Sequence, residues 1–142
     1  MATSAAPAFR FHHVSLSVAD LDAQEAWYRA AFGLGRVDER LDLPEVGVRT
    51  VILSGGDGLR FEFTELVGSE PVVHADAYAA TAAQTFTHLA LQVADLDAAF
   101  TRLTGECAAP VVSEPGPGAT DGVRYAYVRD PEGNLIELIE VV

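Results

Sequence analysis

The sequence predicts an α+β fold built from two tandem β-α-β-β-β modules, eight strands and two main helices in all. Three observations predict it. The stretch His12-His13-Val14-Ser15-Leu16-Ser17-Val18-Ala19-Asp20-Leu21-Asp22 recurs as Thr87-His88-Leu89-Ala90-Leu91-Gln92-Val93-Ala94-Asp95-Leu96-Asp97, at a constant offset of 75 residues. Without a gap, the same offset aligns Gly47-Val48-Arg49 with Gly122-Val123-Arg124, Gly58 with Gly133, and Glu62 with Glu137. Within each copy a period-two segment is followed by a helical one and then by further strand-like segments. The modules are expected at 11–66 and 86–142, with a loose tail at 1–10, a linker at 67–85, and one compact domain overall.

In the first module Val14, Leu16 and Val18 alternate with His13, Ser15 and Ser17, the period of a half-buried strand. Asp20 or Asp22 can cap the following helix, and Asp22 with Glu25 has capping-box spacing. Ala23, Ala26, Trp27, Ala30 and Ala31 fall on one helical stripe, and Gly33 or Gly35 supplies a stop. A second strand is expected at 36–41 before Pro44, and a third at 47–53, which is rich in Val and Ile. Gly55-Gly56-Asp57-Gly58 reads as a turn into an alternating strand at 59–64.

Residues 67–85 read as a linker with room for a short helix. The repeated strand at 86–93 and the helix begun by Asp95 or Asp97 follow, with Phe100 and Leu103 inward and Gly105 at the helix end. Strands are expected at 109–113, 122–128 and 135–142; Glu114 to Asp121 reads as a Pro/Gly loop and Asp130-Pro131-Glu132-Gly133-Asn134 as a hairpin turn.

Composition narrows the function classes. A chain of 142 residues, 49% hydrophobic, is long enough to bury about two-thirds of its unfolded surface without a staple. Cys107 stands alone, which excludes an intramolecular disulfide framework and fits a reducing, cytoplasmic setting; it reads as a small buried apolar residue. The formal net charge of -12 argues against nucleic acid and anionic membrane partners, which need Lys and Arg opposite phosphates. Met1 to Ala8 has no basic start or apolar run of a secretory signal, and no stretch approaches a membrane span.

Parity places His13, Ser15 and Ser17 on one face and His88, Ala90 and Gln92 on its equivalent, while Glu62 and Glu137 face away from apolar strand neighbours. If the modules associate about a pseudo-twofold axis, two imidazoles and two carboxylates converge, a donor set suited to one divalent metal ion (Ni, Zn, Co, Mn or Fe) with open positions. Two inward carboxylates without a cation would repel one another. The plainer reading of each histidine is a hydrogen-bonded structural residue. His12, Glu65 and Glu140 are rivals disfavoured by parity or by lying at a strand end, and His74 reads as a solvated linker residue. Arg49, Arg124 and Arg60 either hold an anionic substrate group or make surface ion pairs; Gln92, Tyr125 and Tyr127 are candidates to line the site.

The tandem modules, the His-x-x-Leu-x-Val-Ala-Asp-Leu-Asp motif, Trp27-Tyr28-Arg29-Ala30-Ala31-Phe32-Gly33-Leu34 and Asp130-Pro131-Glu132-Gly133-Asn134-Leu135-Ile136-Glu137-Leu138 resemble the vicinal-oxygen-chelate superfamily of glyoxalase I, epimerases, extradiol dioxygenases and bleomycin-binding proteins. The resemblance implies a cupped eight-stranded mixed sheet with helices outside and a metal at His13, Glu62, His88 and Glu137. It implies a lyase, isomerase or epimerase acting on a small substrate with vicinal oxygens through a metal-stabilised enolate, Glu137 serving as general base and Glu62 as its pseudo-symmetric acid or base. It also implies a homodimer, in which ligands can come from one chain or two. An Fe(II) extradiol-type dioxygenase and a non-catalytic small-molecule binder are the alternatives.

Overall fold

The computed structural model describes residues 8–142, so residues 1–7 of the expected loose tail at 1–10 lie outside the described residues. The first module runs β1 (Val14–Val18), α1 (Leu21–Phe32), β2 (Arg36–Leu43), β3 (Val48–Ser54) and β4 (Arg60–Leu66). The second runs β5 (Leu89–Gln92), α3 (Leu96–Gly105), β6 (Val111–Pro117), β7 (Val123–Arg129) and β8 (Leu135–Val141), and the linker carries the short α2 (Ala77–Ala80). The predicted α+β order is observed. The eight strands form two four-stranded mixed sheets, β1-β4-β3-β2 and β5-β8-β7-β6, so within one chain they do not form a single continuous sheet. In each sheet the first strand lies parallel to the last, and both first strands are sheet edges.

The repeat determines the helix starts. Asp20 accepts from the Ala23 amide and Asp95 from the Ala98 amide, each at 2.9 Å, the reach of an N-cap carboxylate. Asp22 and Asp97 are left to pair with arginines instead. Gly33 ends α1 in the left-handed region at φ 65°, its amide donating to the Arg29 carbonyl.

The stripe expected on α1 is corrected. Leu21, Gln24, Tyr28 and Ala31 are the buried residues, while Ala23, Ala26 and Ala30 are exposed. Polar tips on Gln24 and Tyr28 obscured the true face: the Tyr28 hydroxyl donates to Asp130 at 2.9 Å and the Gln24 amide nitrogen reaches the same carboxylate at 3.4 Å, while the buried Gln24 Oε1 has no protein partner. The expected loop from Glu114 is corrected too, because β6 continues through Pro117. Pro115 and Pro117 are tolerated because β6 is an edge strand whose pairing shifts register twice.

α1 packs on two cores at once. Val18, Leu21, Tyr28, Leu34, Val51, Leu53, Phe61 and Phe63 form the core of the first module. Ala31, Trp27 and Phe32 extend into the second, with Leu96, Phe100, Leu103, Val128 and Leu138. Side-chain-to-backbone bonds secure this docking: the Trp27 indole donates to the Cys107 carbonyl at 2.8 Å, and Arg102 donates to the Ala30 and Ala31 carbonyls. Glu132, from the β7-β8 turn, accepts the Ala19 and Asp20 amides ahead of α1. The modules therefore meet through their helix-covered sides. Cys107 is only partly buried, and its neighbours are apolar as expected. Among the described residues no helix is long and apolar enough to cross a membrane.

Candidate metal centre

Ladder register decides which side chains share the open faces. Phe61 and Phe63 on β4 oppose Val14 and Leu16 on the helix side, which puts Glu62 on the other face opposite Ser15 and, across β3, Ile52. In the second sheet Glu137 stands opposite Ala90 on β5 and Tyr127 on β7. His13 and His88 immediately precede β1 and β5 and keep the parity of these faces.

Each histidine meets its own module's glutamate. His13 Nε2 lies 3.5 Å from Glu62 Oε2, and His88 Nε2 lies 3.1 Å from Glu137 Oε2. These side chains are partly covered, at 31% and 26% exposure in the first pair and 27% and 16% in the second. The opposite ring nitrogens are held from behind. Thr87 Oγ1 lies 2.9 Å from His88 Nδ1, and His12 Nδ1 lies 2.6 Å from His13 Nδ1. Arg60 Nη1 stands 2.7 Å from His12 Nε2, and because a guanidinium only donates, this nitrogen of His12 accepts.

The donors suit a transition metal by type and by spacing. Two ligand atoms about 2.1 Å from one ion stand about 3.0 Å apart at right angles and about 3.4 Å apart at the tetrahedral angle, a span that brackets or lies near both His-Glu separations. Each pair offers only two donors, however. Among the described residues no group of three or more His, Cys, Asp or Glu is arranged within the chain to hold a metal ion. The four expected ligands thus stand as two separate His-Glu pairs, one in each module. His13 and His88 both border a cavity of about 790 Å³ between the modules, along the free edge of β1, but Glu62 and Glu137 do not.

The three candidate arginines separate. Arg49 and Arg124 sit on the helix-covered faces, opposite in ladder register to Glu65 and Glu140. Arg49 pairs with Glu65 and Asp22, and Arg124 with Glu140 and Asp97. Glu65 also accepts the Leu21 amide and Glu140 the Leu96 amide, so each carboxylate joins a helix start to an arginine. The Arg49 guanidinium, helped by the Leu21 amide, holds the Glu65 carboxyl below its usual range. Only Arg60 stays on an open face, beside Asp38 and His12. Gln92 and Tyr125 keep the open-face parity of the second sheet.

Sequence reading assigns no backing role to His12, set aside as a ligand, or to Thr87, and offers Tyr127 only as a residue lining the site. His12 and Thr87 back the two histidines; they occupy equivalent repeat positions but differ in type, so the repeat carried no common signal for them. Tyr127 sets its ring edge-on to His88, with centroids 5.4 Å apart, and Tyr125 braces it at 5.8 Å. Burial, and next the Glu137 carboxylate beside it, push the Tyr127 phenol well above its ordinary pKa. The register Tyr127 to Glu137 was the available signal.

Comparison with known proteins agrees with this architecture. Lactoylglutathione lyase GLX1 of Arabidopsis thaliana is 30% identical over 92% of this chain, and lactoylglutathione lyase of Oryza sativa subsp. japonica is 28% identical over the same share. The chain spans 44% and 43% of those relatives, less than half their length. Among solved structures, the glyoxalase family protein of Enterococcus faecalis matches with a TM-score of 0.74 at 20% identity, covering 92% of this chain and 97% of that one. Glyoxalase I of Zea mays matches with a TM-score of 0.72 at 23% identity, covering 92% of this chain and 44% of that one. At these identities the structural likeness speaks for the fold. The family model described as the Glyoxalase/Bleomycin resistance protein/Dioxygenase superfamily matches residues 10–138, and the chain belongs to that family.

Proposed function

We propose that the protein is a divalent-metal-dependent enzyme of the glyoxalase type, a lyase or isomerase, whose site is assembled from half-sites of two chains. The observation that carries this reading is the pair of His-Glu contacts at 3.5 and 3.1 Å, each with ligand-like spacing and each short of a full donor set. His13 and Glu62 of one chain would meet His88 and Glu137 of a second. Bound there, the cation would act as a Lewis acid toward a substrate with two neighbouring oxygens.

The chain's own groups support the remaining roles. A carboxylate at the rim of an ion's sphere can take a proton from carbon next to a carbonyl and return it elsewhere on the substrate. Arg60, on an open face and ion-paired with Asp38, is the candidate to hold an anionic substrate group, and Gln92 and Tyr125 are candidates to line the opposite wall. The names of the curated relatives favour lyase chemistry. Surface chemistry favours a second copy: β1 and β5 have unpaired edges, and Phe11 and Phe86, equivalent in the repeat, lie just before them at 72% and 100% exposure.

Metal analysis of chain purified without added ions, together with a screen of dicarbonyl, thioester and catechol substrates, tests the proposal. Expected is about one ion per chain, lost in both His13→Ala and His88→Ala, with turnover of a dicarbonyl-derived or thioester substrate. Chain that takes up no ion on incubation with Ni²⁺, Zn²⁺, Co²⁺, Mn²⁺ or Fe²⁺, yet binds small molecules equally well in both variants, would refute it.

A further inference from the structure

We infer that the substrate is an acid whose carboxylate lies a few carbons from its two neighbouring oxygens, and that Arg60 and Arg36 of the first sheet hold that carboxylate. The inference rests on the metal reading above and names a substrate class for it. Arg36, Ser54 and Arg60 stand on one rung across β2, β3 and β4. Arg60 precedes Glu62 by two residues on β4, so the two share the open face.

Asp38 ties the two arginines together. One of its oxygens accepts from Arg36 Nε at 2.6 Å and from the Ser54 hydroxyl at 3.1 Å, and the other lies 2.9 Å from Arg60 Nε. Arg36, hydrogen-bonded to it, holds the Asp38 carboxyl below its usual range, so one negative charge faces two positive ones. The cluster keeps a net positive charge. Asp38 Oδ2 and Arg60 Nε are buried and, despite their short separation, not aligned for a hydrogen bond, so Asp38 places this guanidinium without saturating it. Arg60 Nη1 lies 2.7 Å from His12, the residue that backs His13, which sets the guanidinium beside the first His-Glu pair. Among the described residues the hydrogen bonds of Arg36 run from Nε alone and those of Arg60 from Nη1 alone. Forked N–H edges are left over, the geometry that grips a planar carboxylate.

Only one half of the repeat carries this charge. The 75-residue offset puts Val111 at Arg36, Ser113 at Asp38 and Leu135 at Arg60. Arg129, at the position of Ser54, donates to the His74, Ala75 and Gly133 carbonyls instead. The duplication thus supplies matched His-Glu pairs but a single grip for an anion, which suits a substrate charged at one end. Two residues along a strand advance about 7 Å, so a chain of a few carbons reaches from Glu62 to Arg60. A carboxylate matches the net charge of the cluster, whereas a phosphate dianion would bring a second negative charge beside Asp38 and Glu62.

Calorimetric titration of the full chain loaded with Co²⁺ tests the inference with two probes, 2-oxoglutarate and 2-oxovalerate, which share the neighbouring oxygens and differ in the remote carboxylate. 2-Oxoglutarate is expected to bind at least about tenfold more tightly. Arg60→Met should abolish that preference and Arg36→Met should cut it about threefold or more, while the affinity for 2-oxovalerate stays within about twofold. Co²⁺ affinity, measured in parallel, should be the same in Arg36→Met as in wild type, which separates loss of the anion grip from collapse of the site. Equal or absent binding of the two probes to Co²⁺-loaded chain, or a preference that survives both substitutions, would overturn the inference and leave the metal reading intact. Wild-type chain that takes up neither Co²⁺ nor any other of the ions named above would overturn both.

Discussion

A mixed dimer tests the two-chain site most directly. Let one chain carry His13→Ala and Glu62→Ala, and a second, with a different affinity tag, carry His88→Ala and Glu137→Ala. Within each chain the intact pair has two donors, and among the described residues no group of three or more His, Cys, Asp or Glu is arranged to hold a metal ion. Either chain alone therefore leaves every site with two donors, and metal content should fall to near zero. In a twofold dimer of the two variants, one site receives both damaged halves and the other both intact halves, so material purified through both tags should hold about half the wild-type metal and activity. Metal content is read by elemental analysis after gel filtration. Near-zero metal in the doubly tagged dimer, or failure to recover any protein through both tags, would refute the shared site.

Three further outcomes follow from the packing and the charge pairs. Asp130, 1% exposed, accepts from the Tyr28 hydroxyl, the Gln24 and Asn134 side-chain amides and the Glu132 and Asn134 backbone amides. Asp130→Ala strands at least two buried donors at about 1–3 kcal/mol each, so urea unfolding should show a loss of about 3–5 kcal/mol, and Tyr28→Phe about 1–2 kcal/mol. Because the Glu65 carboxyl is held low in the folded state, its contribution is present above the ordinary carboxylate range and is lost as pH falls through the folded value. Arg49→Met should flatten the acid limb of thermal stability, with little change in its slope above pH 7. Gly33→Ala forces a side chain into the left-handed cap at φ 65° and should lower stability by about 1 kcal/mol, measured by the same unfolding assay.

Most of the fold was legible because the repeat and the strand period are local properties. Alternation at Val14 to Val18 and at Phe61 to Phe63 determined which residues lie together on a face, and the ladders confirm that His13 and Glu62 share one. The same rule correctly set Glu65 aside, since it lies on the helix side beneath the start of α1. Legibility failed where side chains act through their polar tips. Tyr28 and Gln24 were absent from the expected stripe because their burial depends on Asp130, a residue 102 positions from Tyr28 in the chain. The sequence leaves Arg49 and Arg124 as either substrate holders or ion-pair residues, and what repeats is a helix-start ion pair.

By itself the sequence determined the duplicated modules, the open face of each sheet and the four donors that stand there in pairs. Only the tertiary structure decided that the four side chains stand as two separate His-Glu pairs within the chain. It also decided how the modules dock, with α1 shared by both cores and bonds such as Trp27 to the Cys107 carbonyl and Arg102 to the Ala30 carbonyl. These contacts join side chains to distant backbone atoms, and a backbone carbonyl leaves no mark in the pattern of residue types.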